Sequence, residues 1–265
     1  MAMYVDTHNH FHKYVEDFDD ALEDITNEGI LVGAVSCNIP EYERTLEIAG
    51  LSDLILPAFG VHPAVASEHM SKLESIGAIA EKALMLGEIG LDHLYEEDAS
   101  KYPLQVDLLE TFLEAAQKHD TIMTLHVAGA ESEVLSILDN YSVSRVIFHD
   151  YYGPLELANK IIDRGFFYSF DRSYRDEYKS EIPGWEERRK ISAIVPDDLM
   201  LVETDGPNRP PSRMPSVSLR EVIENLAVLR STTPEEVSDR ARSNFLRLLR
   251  GDSRLSKFRR TLGGQ

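Results

Sequence analysis

Four histidines and two carboxylates close short apolar runs: His8 and His10 follow Met3-Tyr4-Val5, Glu88 lies in LMLGEIG, His126 in TIMTLHV, His149 in RVIFHD and Asp205 in LMLVETD. A further histidine, His62, follows LILPAFG. Imidazole and carboxylate together suit zinc, manganese, iron, cobalt or nickel, whereas magnesium and calcium favour shells of oxygen alone. A catalytic zinc takes three protein ligands and keeps one position open. Four histidines and two carboxylates exceed that need, and two ions sharing a bridging carboxylate fit the count. Alternation along a strand turns residues i and i+2 to one side, so His8 and His10 can reach one point. Asp6, beside them, reads as a residue that opens a turn. Any one of the seven alone reads as a cap, a turn residue or a satisfied core group. Together they choose the same end of every run, which that reading does not explain.

The elements that must position them alternate. MYV, LVGAVS, LILPAFG, LMLGEIG, TIMTLHV, RVIFHD, GFFYSF and LMLVETD are eight short strand-like runs, separated by stretches of helical spacing such as LQVDLLETFLEAAQKH and GPLELANKIIDRG. Nearly continuous apolar strands covered on both faces belong to parallel sheets, and eight of them alternating with helices is the rhythm of a single (β/α)8 TIM barrel. The strand ends of such a barrel converge on one mouth, so the metal site is expected at the C-terminal ends of the strands. Residues 1–250 are expected to form the hydrolase barrel and 251–265 a basic, solvated C-terminal tail. The long polar stretch DRSYRDEYKSEIPG, 171–184, reads as an extended loop after the seventh strand. His12 and His93 lie just past strand ends and border the expected mouth, whereas His69 and His119 fall in helical stretches.

Composition narrows the class. The net charge of −19 repels phosphate from the exterior as a whole and leaves a locally positive cleft open as a substrate site. Cys37 is the only cysteine, so an internal disulfide and a thiolate cluster within one chain are ruled out. No apolar run approaches the roughly 18 residues of a membrane span, and DTHNH begins without a basic or apolar leader, so a cytoplasmic protein with no membrane partner is expected.

DTHNH, GVHP, GEIGLDH, FHDYYG, VETDGP and the closing TTPEEVSDRARSNFLRLL resemble, in order and over nearly the whole chain, the motifs of the TatD-type metal-dependent hydrolases (DNases), within the amidohydrolase-like barrels. The resemblance implies two divalent ions (zinc, manganese or magnesium), one held by His8, His10 and Asp205, the other by His126 and His149, with Glu88 bridging. It implies a phosphodiester substrate, DNA above all, with His62 near the scissile phosphate. Asp205, His62 and Glu88 are then the expected catalytic residues: Asp205 to orient water and take its proton, His62 to hydrogen-bond developing charge. The chain departs from the family at Ala128, where an arginine usually follows the fifth strand. Arg172 and Arg209, with Arg175 and Arg213 nearby, are expected to supply the missing contact to phosphate. Two other readings share this frame: hydrolysis of an amide, lactone or other ester, and a non-catalytic metal-binding scaffold.

Overall fold

The computed structural model describes residues 4–175, 185–208 and 213–264. Eight strands follow one another around a single sheet, each parallel to the next: β1 (Tyr4–Asn9), β2 (Ile30–Ala34), β3 (Ile55–Phe59), β4 (Met85–Asp92), β5 (Ile122–Ala128), β6 (Val146–His149), β7 (Phe167–Phe170) and β8 (Met200–Val202). The helices α1 (Phe18–Glu28), α2 (Ile39–Ala49), α3 (Ala66–His69), α4 (Leu73–Ala80), α5 (Tyr102–Ala116), α6 (Glu131–Leu138), α7 (Leu155–Asp163), α8 (Trp185–Ile194), α9 (Pro215–Arg230), α10 (Pro234–Arg250) and α11 (Ser256–Thr261) cover the outside. This is the expected TIM barrel. Helix starts follow local chemistry. Asn38 caps α2 by accepting the Glu41 N–H, and Thr233 caps α10 by accepting that of Glu236, each with proline in the first turn. Among the described residues no helix is long and apolar enough to cross a membrane.

The seam between the first and last strands is joined largely by polar groups. Asp205 N–H donates to His8 O at 3.0 Å and His10 N–H to Gly206 O at 2.8 Å. Thr7 Oγ1 donates to Val202 O at 3.0 Å. Asp6 completes the seam: its carboxylate accepts Thr204 N–H at 3.0 Å, Thr204 Oγ1 at 2.6 Å and Asn9 Nδ2 at 3.0 Å. Asp6 therefore opens no turn. It is fully buried inside β1, and burial, only partly offset by Thr204 and Asn9, pushes its carboxyl up to about 7.

The stretch expected to be a solvated tail is folded. Leu255, Phe258 and Leu262 are buried, and they fall at the i, i+3, i+7 spacing of a helical stripe. Two of its basic residues pair with acids, Arg254 with Asp252 at 2.6 Å and Lys257 with Asp53 at 2.6 Å. The run of arginines hid that stripe in the sequence. The expected loop 171–184 begins with a short turn at Arg172–Tyr174, and residues 176–184 lie outside the described residues, as does Arg209.

Replacing Asp6 by Ala removes the acceptor of Thr204 N–H, Thr204 Oγ1–H and one Asn9 Nδ2–H in a buried seam. Urea unfolding should show a loss of about 2 to 4 kcal/mol. An unchanged midpoint would mean that the seam does not depend on this carboxylate.

Candidate metal centre

Glu88 stands at the middle of the mouth because β4 breaks register between Leu86 and Ile89. There its backbone leaves the ladder and pairs with β2's extension: Glu88 N–H donates to Ser36 O at 2.9 Å and Ser36 N–H to Gly87 O at 3.1 Å. Gly60 permits this crossing, since a Cβ there would lie 2.3 Å from Glu88 N. The side chain is 6% exposed.

Five imidazoles converge on it. At Oε1, His126 Nδ1 lies at 3.0 Å, His149 Nε2 at 3.1 Å and His62 Nε2 at 3.4 Å. At Oε2, His10 Nε2 lies at 3.3 Å and His8 Nε2 at 3.7 Å. Asp205, φ 49°, turns its Oδ1 to His10 Nε2 at 3.4 Å and His8 Nε2 at 4.0 Å. The structure thus brings all seven nominated residues around one point. Donor atoms of His8, His10 and Asp205 lie within 4.8 Å of one another, as do those of His62, Glu88 and His126, and of His8, Glu88 and His149.

Most of the rings are held from behind, which fixes the nitrogen each presents. His149 Nδ1 donates to Glu203 Oε1 at 3.0 Å, and His126 Nε2 to Asp92 Oδ2 at 3.2 Å. His8 Nδ1 lies 3.0 Å from Thr124 Oγ1 and His10 Nδ1 3.9 Å from Cys37 Sγ. A histidine whose rear N–H is held by a carboxylate or hydroxyl turns a lone pair forward, the usual support of a metal ligand. His62 is wired the other way. Its Nδ1 accepts the Ala64 N–H at 3.1 Å, so its proton is on the forward-facing Nε2 and it offers a donor there. Sequence reasoning did not assign Thr124, Asp92, Glu203 or Cys37. Asp92 and Glu203 were in view as acids within four residues of a nominated ligand, in GEIGLD and VETD.

The donors fit divalent cations. His8 Nε2 is buried, has no hydrogen-bond partner among the described residues, and faces Glu88. Burial opposes charge on every group here. At Glu88 it is outweighed by His62, His10, His126 and His149, which hold the carboxyl well below its usual range. At His126 it is outweighed by Asp92 and Glu88, which lift the imidazole to about 9. His10 and His149 are likewise raised despite burial, His10 chiefly by Asp205 and His149 by Glu203, whereas burial and His149 push His8 down.

The centre opens into a cavity of about 490 Å³ that Lys13, Val65, Leu94, Tyr95, Tyr152 and Arg188 also line. A second cavity, about 480 Å³, lies beside Tyr4 and Ile30 and contains none of these histidines. Arg172 is 3% exposed and is absent from the mouth's lining, so the guanidinium expected from it is buried beside β7. Arg175 and Arg213 both pair with Glu221. Among the described residues the arginine that borders the cavity comes from α8: Arg188, 2% exposed, pairs with Asp150 Oδ1 at 3.1 Å and lies over the Tyr152 ring at 4.6 Å. Ala128 shares the face of β5 with His126 and is fully buried. Of the two bordering histidines, His93 stacks on Tyr102 at 3.6 Å and His12 meets Glu41.

Among known families, TatD related DNase matches residues 5–250. YcfH of Escherichia coli K12, called an uncharacterized metal-dependent hydrolase, is 28% identical over 277 residues, covering 96% of this chain and 99% of its own length. Human deoxyribonuclease TATDN3 is 22% identical over 261 residues, covering 90% of this chain and 92% of its own. The crystal structure of YJJV, a TatD homologue from Escherichia coli K12, shares the fold, with a TM-score of 0.81 at 23% identity over 93% of this chain and 98% of that one.

A cation that takes His126 Nδ1 must displace the proton this ring holds up to a pH of about 9. Loading should therefore release protons, and zinc affinity should rise with pH between 6 and 8 by about tenfold per unit for each proton displaced. Titration calorimetry in buffers of different ionisation enthalpy reads this directly. Affinity independent of pH would place the cation away from these rings.

Proposed function

The chain belongs to the TatD related DNase family, and from that premise we propose that it is a metal-dependent hydrolase with two divalent ions, cleaving phosphodiester bonds of DNA. The observation that carries the reading is the ring of imidazoles and Asp205 around the buried Glu88 carboxylate, at the floor of an open cavity. His8, His10 and Asp205 would hold one ion, His126 and His149 the other, and Glu88 both. Zinc, manganese or magnesium bound there supplies Lewis-acid polarisation and makes water more acidic.

The chain's own groups do the rest. Asp205 is 14% exposed at its side chain against 6% for Glu88, so it is the more open of these two carboxylates, and it orients the attacking water and accepts its proton. His62 points its Nε2–H into the same space and donates to charge developing on the substrate. Lys13 offers positive charge at a mouth whose exterior is acidic, whereas the Arg188 guanidinium, 2% exposed, is paired with Asp150, and Leu94 and Tyr95, 54% and 67% exposed, present an apolar lip to the organic part of the substrate. Human TATDN3, named a deoxyribonuclease, supports DNA as the substrate class.

A second reading, hydrolysis of an uncharged lactone or carboxylic ester, is favoured by the apolar Ala128 on the His126 face and by the net charge of −19. Single-stranded DNA offered to stripped and to zinc-, manganese- or magnesium-loaded protein separates the two. Metal-dependent cleavage of the oligonucleotide is expected. Intact DNA with every metal, alongside turnover of simple lactones, would replace the first reading by the second.

Asp205→Asn keeps the side chain's shape and removes its charge. Turnover should fall about 10² to 10⁴-fold while the variant still folds and retains metal, and a near-normal rate would remove Asp205 from the chemistry. Lys13→Ala removes an exposed cation that lines the mouth, so KM for an oligonucleotide should rise about tenfold or more, with lactone turnover unchanged. An unmoved KM would take Lys13 out of phosphate binding.

A further inference from the structure

His12 and Glu41 lie beside the centre and are not accounted for by it. The His12 side chain is only 7% exposed, and neither of its ring nitrogens has a hydrogen-bond partner among the described residues. Its Nε2 nevertheless stands 3.1 Å from Glu41 Oε2. That contact has the length of a hydrogen bond without its direction. The carboxylate is fixed by its surroundings: Oε2 accepts Cys37 N–H at 2.8 Å and Oε1 accepts Asn38 Nδ2 at 2.9 Å. His10 is the third member, its ring meeting that of His12 edge-on at 5.8 Å, and donor atoms of His10, His12 and Glu41 lie within 4.8 Å of one another.

A buried imidazole with no directed hydrogen bond at either nitrogen recovers only part of its lost hydration, here through the ion pair of Nε2 with Glu41, and Nδ1 recovers none among the described residues. A cation between the three side chains restores it. Ligands about 2.0 to 2.2 Å from a tetrahedral zinc stand roughly 3.3 to 3.5 Å apart, close to the present separation of His12 and Glu41.

We propose that His10, His12 and Glu41 form a further site for a divalent transition metal such as zinc, adjacent to the Glu88 centre and distinct from it. His10 serves both sites. Its Nε2 faces Glu88 and Asp205 at 3.3 and 3.4 Å, which assigns Nδ1, the nitrogen beside Cys37, to the added ion. With both sites filled, His10 would turn one ring nitrogen to each cation, and the protons on both nitrogens would leave to solvent. Two nitrogens and one carboxylate oxygen disfavour magnesium and calcium and leave a fourth position open to water.

The test is zinc content after saturation and removal of free metal, measured by mass spectrometry for the full-length protein and for His12→Asn, Glu41→Gln and Glu88→Gln. Glu41→Gln retains the oxygen that accepts the Cys37 N–H, so it guards against a fold defect in the histidine variant. His12→Asn and Glu41→Gln should each carry one zinc fewer than the unaltered chain, with the metal-free melting temperatures unchanged. Equal zinc content in all three overturns the site. Glu88→Gln reports separately on the centre: a content unchanged in that variant counts against a Glu88-bridged pair and leaves the His12 site standing.

Discussion

A carboxylate buried at the end of a barrel must be offset, and Glu88 is the group around which the rest of this mouth is arranged. Five imidazoles meet its two oxygens, and Asp205, Asp92 and Glu203 stand around those imidazoles. Four carboxylates in a space so short of water need compensating charge. Protons on the histidines supply it in one state. Two divalent cations would supply it in the other, and with neutral imidazoles their four positive charges balance the four carboxylates. The raised His126, His10 and His149 and the depressed Glu88 are thus two sides of one competition between protons and metal.

That competition is set by the scaffold. The register break in β4 carries the Glu88 backbone onto Ser36, Gly60 leaves it room, and the Asp6–Thr204 seam locks the strand bearing His8 and His10 against the strand leading to Asp205. Thr124, Asp92 and Glu203 then decide which ring nitrogen looks inward. His62 is distinguished from its neighbours by one hydrogen bond, that from Ala64, which makes it a donor where the others present lone pairs.

Strand order and the end at which chemistry collects were legible because both are properties of period: apolar runs, helical spacing between them, and polar residues at a constant end. What period does not carry was missed. Asp6 looks like a turn residue in a pentapeptide, and only the return of β8 alongside β1 shows it as the acceptor for Thr204. The C-terminal stretch looks basic, and its apolar stripe becomes meaningful only where the barrel offers Leu255 and Phe258 a surface. Arg172 lies next to a strand end in sequence, but the turn at Arg172–Tyr174 folds it inward, while Arg188, remote in sequence, arrives at the mouth on a helix. Proximity to a strand end predicts the position of a backbone, not the direction of a long side chain.

The claim on which all of this turns is that Glu88 is shared by two cations. Anomalous diffraction from crystals of the zinc- or manganese-loaded protein tests it most directly. The account predicts two metal peaks flanking the Glu88 carboxylate, one against His8, His10 and Asp205 and the other against His126 and His149. A single peak there at full loading, or metal bound only away from Glu88, would contradict it.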